Sequence, residues 1–223
     1  MGRTRRSTPL RVVGAAVVAA LLVAMTLSTR FVTPEELASI GPEAFDPQQV
    51  ADELFTEANE TLPDAATPLP ELLTGLEQDV AGTADRLEAV TPNETTYLFP
   101  VTGEATVVAT QPQAVEITVD GVSEKTPLSI AAGPAVNGTV LRDALGFRFG
   151  DASNQTTYQQ VGDELKALVQ DQITESTGDE GPTGLAKGTK LSFTGIVTVT
   201  DTGLPQSPAK PVQVQPLTME VDR

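Results

Sequence analysis

The 223-residue sequence contains no cysteine, no histidine and no tryptophan. Without cysteine the chain has no thiol nucleophile, no disulfide and no cysteine for lipid attachment. Without histidine it has no imidazole base, and a structural zinc site of the usual kind is excluded as well. Aromatic residues make up only 4% of the chain, which argues against a stacking surface for bases or sugars.

Positive charge is also scarce outside the N-terminal segment. The formal net charge is -16, and the first thirty residues carry five arginines and no acid. Subtracting this +5 from -16 leaves -21 for the remainder of the chain. A body this acidic repels phosphate backbones, so we do not expect nucleic acid as a partner.

An uncharged run rich in valine, alanine and leucine separates Arg11 from Arg30. Residues 12–29 are about long enough to cross a bilayer, and the arginines before them place the N-terminus in the cytoplasm. We therefore expect a basic cytoplasmic tail at 1–11, a single-pass transmembrane anchor at 12–29 and an extracytoplasmic remainder. A cleaved signal peptide is the alternative, but its apolar region is usually shorter and no clean A-x-A site follows here.

Residues 30–94 are predicted to form a helical extension. Asp46 is a plausible N-cap with Pro47 at the first helical position, and an apolar face follows until Pro63, which is expected to end the helix. A second amphipathic run starts within the proline-rich stretch ATPLPELL.

Residues 95–223 are predicted to form a β-barrel-like domain. Three strand regions come first, and Asp120-Gly121 is the signal for a two-residue hairpin among them. A helix that Ser153 can cap follows, and two more strands complete the order. This is the order of the oligonucleotide/oligosaccharide-binding barrel, which has five strands and a helix between the third and the fourth.

The predicted fold class is therefore β-rich α+β: a barrel of five to six strands with a helical N-terminal extension, an inserted helix and a preceding transmembrane helix. An open antiparallel sheet with helices packed on one face is the alternative.

The stretch GTVLRDALGFRFGDASNQTTY, from Gly138 to Tyr158, gathers several uncommon polar residues beside the predicted helix. Three interpretations stay open, and in the last of them these side chains are exposed to solvent without a role. In the first, Arg142 pairs with an acid and locks the crossover from the strand-like FRF segment into the helix. In the second, an arginine and amides line a pocket that holds hydroxyls or a carboxylate. The candidates for either role are Arg142, Asp143, Asn154, Gln155 and Tyr158.

The sequence does not contain a catalytic motif. Neither a serine-nucleophile motif nor a Gly-rich phosphate loop occurs, and no loop matches the EF-hand pattern. No pair of carboxylates is marked by its context for hydrolysis. We therefore expect a protein that is not an enzyme and that uses no cofactor and no metal.

The stretch from 133 to 165 resembles the bacterial family known as domain of unknown function 2291, the predicted periplasmic lipoproteins. Its members show a Gly-Pro, a Gly-Thr-x-Leu-Arg-Asp and an Asn-Gln-x-x-Tyr before a helix. The matching residues here are Gly133, Pro134, Gly138, Thr139, Leu141, Arg142, Asp143, Asn154, Gln155 and Tyr158. The segments FDPQQVADELF, YLFPVTGEATVVA and GTKLSFTGIVTV also resemble the family.

The resemblance implies an exported, membrane-attached protein with a barrel of the oligonucleotide/oligosaccharide-binding type, often encoded beside components of sugar ABC transporters, and no established activity. Many members anchor through a lipidated cysteine, which this chain lacks, so an uncleaved helix would replace the lipid. We therefore expect a membrane-anchored accessory to sugar uptake whose partner is a transporter permease or a sugar-binding protein. A stand-alone binding module for a sugar or sugar acid is the alternative, and an envelope hydrolase is the third hypothesis.

Overall fold

A computed structural model describes residues 45–178, 180–201 and 212–222. These residues belong to the second of two compact units, which spans Phe45–Arg223. The predicted basic tail and transmembrane anchor, at 1–29, lie outside the described residues, as do residues 30–44 of the predicted helical extension. Within the described ranges, no helix combines the length and the apolar character that a membrane span requires.

The described residues form a helix, a short strand, two helices, four strands, two further helices and two final strands. The helices are α1 (Pro47–Ala65), α2 (Leu69–Gln78), α3 (Val80–Arg86), α4 (Gly138–Ala144) and α5 (Gln155–Thr177). The strands are β1 (Thr67–Pro68), β2 (Val90–Asn93), β3 (Thr96–Gln111), β4 (Ala114–Val119), β5 (Leu128–Ala131), β6 (Lys190–Thr200) and β7 (Val212–Val221). Short 3-10 turns lie at Gly133–Ala135, Phe149–Asp151 and Pro182–Gly184.

Five of the strands close into a ring in the order β3-β4-β5-β7-β6, because β6 pairs again with β3. The β3–β6 ladder is antiparallel and runs from the pair Thr96 and Thr200 to the pair Thr106 and Lys190. The contact between β5 and β7 is parallel. The long helix α5 is inserted between β5 and β6, which confirms the predicted order of strands and helix. Because β6 pairs with β3 and closes the sheet, the alternative of an open sheet is wrong.

The core lies inside the ring and continues under the helices. Alternate residues of β4, such as Val115 and Ile117, are buried, whereas Glu116 between them points outward. The largest fully buried side chains include Phe99 on β3 and Phe193 on β6. Glycine is required at position 103, because a Cβ there would lie 2.9 Å from the ring of Phe193.

The stretch predicted as a crossover from strand into helix is itself helical. Residues Gly138–Ala144 form α4, and the FRF segment that follows does not belong to a strand. Asn137 caps α4, because its side chain accepts a hydrogen bond from the backbone N–H of Thr139 at 3.0 Å. Gly146, with φ of +79°, terminates the helical segment.

Two boundary predictions are also wrong. Asp120-Gly121 makes a turn, but an eight-residue loop rather than a two-residue hairpin separates β4 from β5. The two-residue connection lies instead at Pro112-Gln113, between β3 and β4. Helix α1 begins after Asp46 as predicted, but it continues through Pro63 to Ala65.

Candidate functional site

Helices α4 and α5 cross at two glycines. A Cβ at Gly138 would overlap the carbonyl oxygen of Gly162 and would lie 2.5 Å from the backbone nitrogen of Lys166. A Cβ at Gly162 would lie 2.9 Å from Cγ2 of Thr139. The two backbones therefore approach as closely as only glycine permits, and this crossing lays Arg142 against the first turns of α5.

Arg142 is 5% exposed, and its charge is paired. Nε and Nη2 donate to Oδ1 of Asp143 at 3.0 Å and 2.8 Å. Nη1 donates to the backbone carbonyl of Tyr158 at 2.8 Å. A buried guanidinium is tolerated only when it is paired and hydrogen-bonded in this way.

Tyr158 completes the contact from the α5 side. The guanidinium carbon of Arg142 lies 3.5 Å from the centre of the Tyr158 ring, in the geometry of a cation–π interaction. The Tyr158 hydroxyl donates to Oδ1 of Asp143 at 3.2 Å. Burial raises the pKa of Tyr158, the negative charge of Asp143 adds to this effect, and the positive charges of Arg142 and Arg148 oppose it. We name these three residues, Arg142, Asp143 and Tyr158, the Arg142 cluster.

An aromatic layer covers the Arg142 cluster. The rings of Tyr158 and Phe147 stack with centroids 6.1 Å apart, and Phe149 meets Tyr158 edge-on at 5.8 Å. The ring centroids of Phe45 and Phe147 are 6.5 Å apart. Phe149 nevertheless remains 58% exposed.

The segment 145–151, which we name the Phe149 loop, is held by Arg148. Nη1 of Arg148 donates to the backbone carbonyl of Asp143 at 3.0 Å, and its backbone N–H donates to Oδ2 of Asp151 at 2.7 Å. The loop is therefore fixed to α4 at its base while the ring of Phe149 faces solvent.

Asn154 and Gln155 serve a different purpose from the Arg142 cluster. Oδ1 of Asn154 accepts from the backbone N–H groups of Thr156 and Thr157 at 2.8 Å and 3.1 Å, and Oγ1 of Thr157 accepts in return from the Asn154 N–H at 3.1 Å. Asn154 is thus the N-cap of α5, and the prediction of Ser153 as the cap is wrong. Gln155 is exposed in the first turn.

Two of the remaining motif residues accept hydrogen bonds from side chains of α5. The carbonyl of Gly133 accepts from Nε2 of Gln170 at 2.6 Å, and the carbonyl of Pro134 accepts from Nζ of Lys166 at 3.0 Å. Gly133 has φ of +49°, and a Cβ there would lie 2.8 Å from the carbonyl of Pro112. Oγ1 of Thr139 donates to the cap residue Asn137 at 2.7 Å. The structure therefore brings together Arg142, Asp143 and Tyr158, and it uses the other motif residues to shape the α4–α5 junction.

A polar bridge joins α5 to α1 and to β7. Nε2 of Gln172 on α5 donates to Oδ1 of Asn59 on α1 and to the carbonyl of Leu217 on β7, each at 3.0 Å. Asn59 in turn donates to the carbonyl of Phe55 at 2.8 Å. Gln172 and Asn59 are 113 residues apart, so no local pattern announces their contact.

A groove of about 690 Å³ lies on the outer face of β4 and β5, and no sequence pattern indicates it. Its lining includes Glu116, Asp120 and Glu124, and the described part of the lining contains no lysine, arginine or histidine. Among the described residues, no group of three or more potential ligands is arranged to hold a metal ion.

Three comparisons with known proteins bear on this architecture. The family profile described as a predicted periplasmic lipoprotein, DUF2291, matches residues 16–215. The crystal structure of an OB-fold protein from Thermotoga maritima superposes with a TM-score of 0.66 at 16% identity, and the match covers 81% of this chain and 100% of that chain. At this identity the likeness shows the fold alone, and the ring of five strands is an OB fold. No curated protein matches the sequence.

Proposed function

This chain belongs to the DUF2291 family of predicted periplasmic lipoproteins, and on that premise we propose that it is a membrane-tethered, non-enzymatic protein that assists sugar uptake by contact with a transporter component. Family membership indicates a membrane-associated, extracytoplasmic location. The single-pass anchor at 12–29, with a cytoplasmic N-terminus, is part of the proposal and rests on the uncharged run between Arg11 and Arg30.

The exposed ring of Phe149 carries this proposal. Two large hydrophobic side chains are exposed among the described residues, Val108 at 37% and Phe149 at 58%. Because Arg148 fixes the base of the Phe149 loop to α4 and the Phe149 ring packs against Tyr158, a partner that covers the ring has little loop motion to freeze. Aromatic side chains presented in this way commonly provide the main anchor of a protein interface.

The non-enzymatic part of the proposal is supported by how fully the Arg142 cluster is engaged. All three nitrogens of the Arg142 guanidinium donate within the protein, and Oδ1 of Asp143 accepts from both Arg142 and Tyr158. Groups with these bonds already made hold helices together more readily than they bind and transform a substrate.

The same contacts weaken the alternative of a stand-alone sugar or sugar-acid module with its pocket at Arg142, Asn154, Gln155 and Tyr158. Such a pocket would have to break the guanidinium bonds to Asp143 and the cap that Asn154 gives to α5. The solute and the partner in our proposal, a sugar transporter's permease or binding protein, come from the family setting that the resemblance implies.

Site-specific photo-crosslinking tests the proposal. A photoreactive residue at Gly150, where a side chain meets no atom within 4 Å, is placed in the full-length protein in native membranes. We expect a crosslink to a permease or a sugar-binding protein, and we expect Phe149→Ser to abolish it. The matched control carries the same photoreactive residue at Glu175, exposed on α5, where no such product should form. Recovery of no transporter component from position 150 would reject the proposal.

A further inference from the structure

Cross-strand pairing places a carboxylate, a hydroxyl and an amide side by side on the outer face of the barrel. Glu116 on β4 pairs with Ser129 on β5, and Ser129 pairs with Gln213 on β7. The neighbours Ile117 and Leu128 are buried in the core, so the three polar side chains point outward by alternation. Strands in a sheet are about 4.8 Å apart, so this polar row spans roughly 10 Å.

Ser129 is the unusual member of the polar row. It is 6% exposed, and among the described residues its hydroxyl takes part in no hydrogen bond. No fully covered side-chain oxygen or nitrogen of the described residues lacks a partner, so the Ser129 hydroxyl must reach open space. That space is the groove, which Ser129 lines. Water in the groove can bond to this hydroxyl, and a ligand that displaces the water keeps its affinity only if it bonds to the hydroxyl in turn.

The acidic lining of the groove indicates that a bound ligand carries positive charge. Glu116 lies at the end of the polar row, and Asp120 and Glu124 belong to the β4–β5 loop beside it. Nε2 of Gln111 donates to Oε1 of Glu116 at 2.5 Å and so holds this carboxylate in place. Among the described residues, no cationic residue lines the groove to neutralise the three acids, so this lining favours positively charged solutes.

We propose that the groove on β4 and β5 binds a small organic cation, one that presents a protonated amine to the carboxylates and a hydroxyl or amide to Ser129 and Gln213. An organic cation fits better than a metal ion, since the described acids do not converge as metal ligands do. This binding site is separate from the Phe149 loop and goes beyond the proposed contact with a transporter.

Three sugars that differ mainly in charge test the proposal: glucosamine, glucose and glucuronate. Each is titrated into the full-length protein by calorimetry at mildly acidic pH, where the amine is protonated. We expect glucosamine to bind most tightly, glucose more weakly and glucuronate least. Spermidine, a cation without a ring, should compete with glucosamine. Absence of binding by both amines, or binding of glucuronate as tight as that of glucosamine, would overturn the proposal.

Three variants locate the site. Ser129→Ala removes the unpartnered hydroxyl, so it should leave the urea midpoint unchanged or raised while it weakens glucosamine binding by about tenfold. Glu116→Gln should weaken binding by about tenfold or more. Glu104→Gln removes the same charge from an exposed position on β3 outside the groove and should have less than about a twofold effect.

An equal loss from Glu104→Gln and Glu116→Gln would mean that the cation binds the acidic surface diffusely, and the proposal would then be wrong. Unchanged binding in Ser129→Ala would contradict the role of the hydroxyl and overturn the assigned site. These variants should leave the crosslink from position 150 intact, so failure here is distinguishable from failure of the proposed transporter contact.

Discussion

Arg142 contacts both the ring and the backbone of Tyr158. Its guanidinium carbon lies 3.5 Å from the centre of the ring, and Nη1 donates to the backbone carbonyl of Tyr158 at 2.8 Å. The two hydrogen bonds to Asp143 fix the orientation of the guanidinium group, and both contacts with Tyr158 depend on that orientation. One side chain of α4 thus fixes both the ring and the backbone of α5. The geometry favours the interpretation of Arg142 as a structural lock.

Arg142→Ala should lower the free energy of unfolding by about 3 kcal/mol, because it removes a buried ion pair, a hydrogen bond and a cation–π contact together. Arg142→Lys should lose less, since an ammonium keeps the charge but cannot make all three contacts. Urea unfolding measures both losses. If Arg142→Ala kept the wild-type midpoint but lost the transporter crosslink, Arg142 would be a recognition residue and the lock would be wrong.

A Gly→Ala substitution usually stabilises a helix, but at the crossing of α4 and α5 we expect it to destabilise the protein. Gly138→Ala should cost about 3 kcal/mol, since the new methyl would meet the backbone of α5. Gly162→Ala should cost about 1–2 kcal/mol, because its neighbour is the side-chain methyl of Thr139, which can shift. Gly150→Ala, in open space, is the control and should be neutral. Equal midpoints for the variants at 138 and 150 would disprove the close crossing.

Tyr158 should make stability fall at alkaline pH. Its pKa is raised in the folded state by burial and by the charge of Asp143, so the unfolded chain releases this proton first as the pH rises. The contribution of Tyr158 to the free energy of unfolding is therefore fully present below the ordinary tyrosine pKa of about 10. It is lost as the pH rises through the pKa of the folded state.

Urea midpoints measured from neutral pH to beyond about pH 10 check this sign. Tyr158→Phe should flatten the alkaline decline, although it also loses the hydroxyl bond to Asp143. An alkaline decline that is identical in Tyr158→Phe would show that other groups cause it.

Asn154 and Gln155 are neighbours in the motif, but only Asn154 caps α5. Asn154→Ala should cost about 1 kcal/mol, since two backbone N–H groups lose their acceptor. Gln155→Ala should be nearly neutral, because Gln155 is an exposed first-turn residue. Thermal or urea unfolding compares the pair. A loss at Gln155 equal to that at Asn154 would contradict the assigned roles.

Local patterns sufficed to predict the barrel but not its connections. The β-rich stretches on either side of α5 gave the correct strand order because each strand carries its own alternation. The α4 helix was missed although Asn137 and Gly146 bracket it as cap signals, because Thr139, Val140 and the FRF segment have high strand propensity. Tertiary packing against Gly162 overrides that propensity here.

The candidate site divides in the same way. The pairing of Arg142 with an acid could be foreseen because Asp143 is its chain neighbour, and Tyr158 belongs to the same polar stretch. The polar row of Glu116, Ser129 and Gln213 could not, since it depends on the register of three strands. The bridge between Gln172 and Asn59 likewise exists only after α1 and α5 pack.

The closure of the ring constrains when an exported chain can reach its native state. Thr96 at the start of β3 pairs with Thr200 at the end of β6, and β5 finds its parallel partner only in β7. A chain that is threaded through a translocation channel from its N-terminus cannot complete this barrel until residues of β7 have crossed. Pairing over such distances along the chain is slow, so β3 and β5 remain without their β6 and β7 partners until the last strands have been translocated.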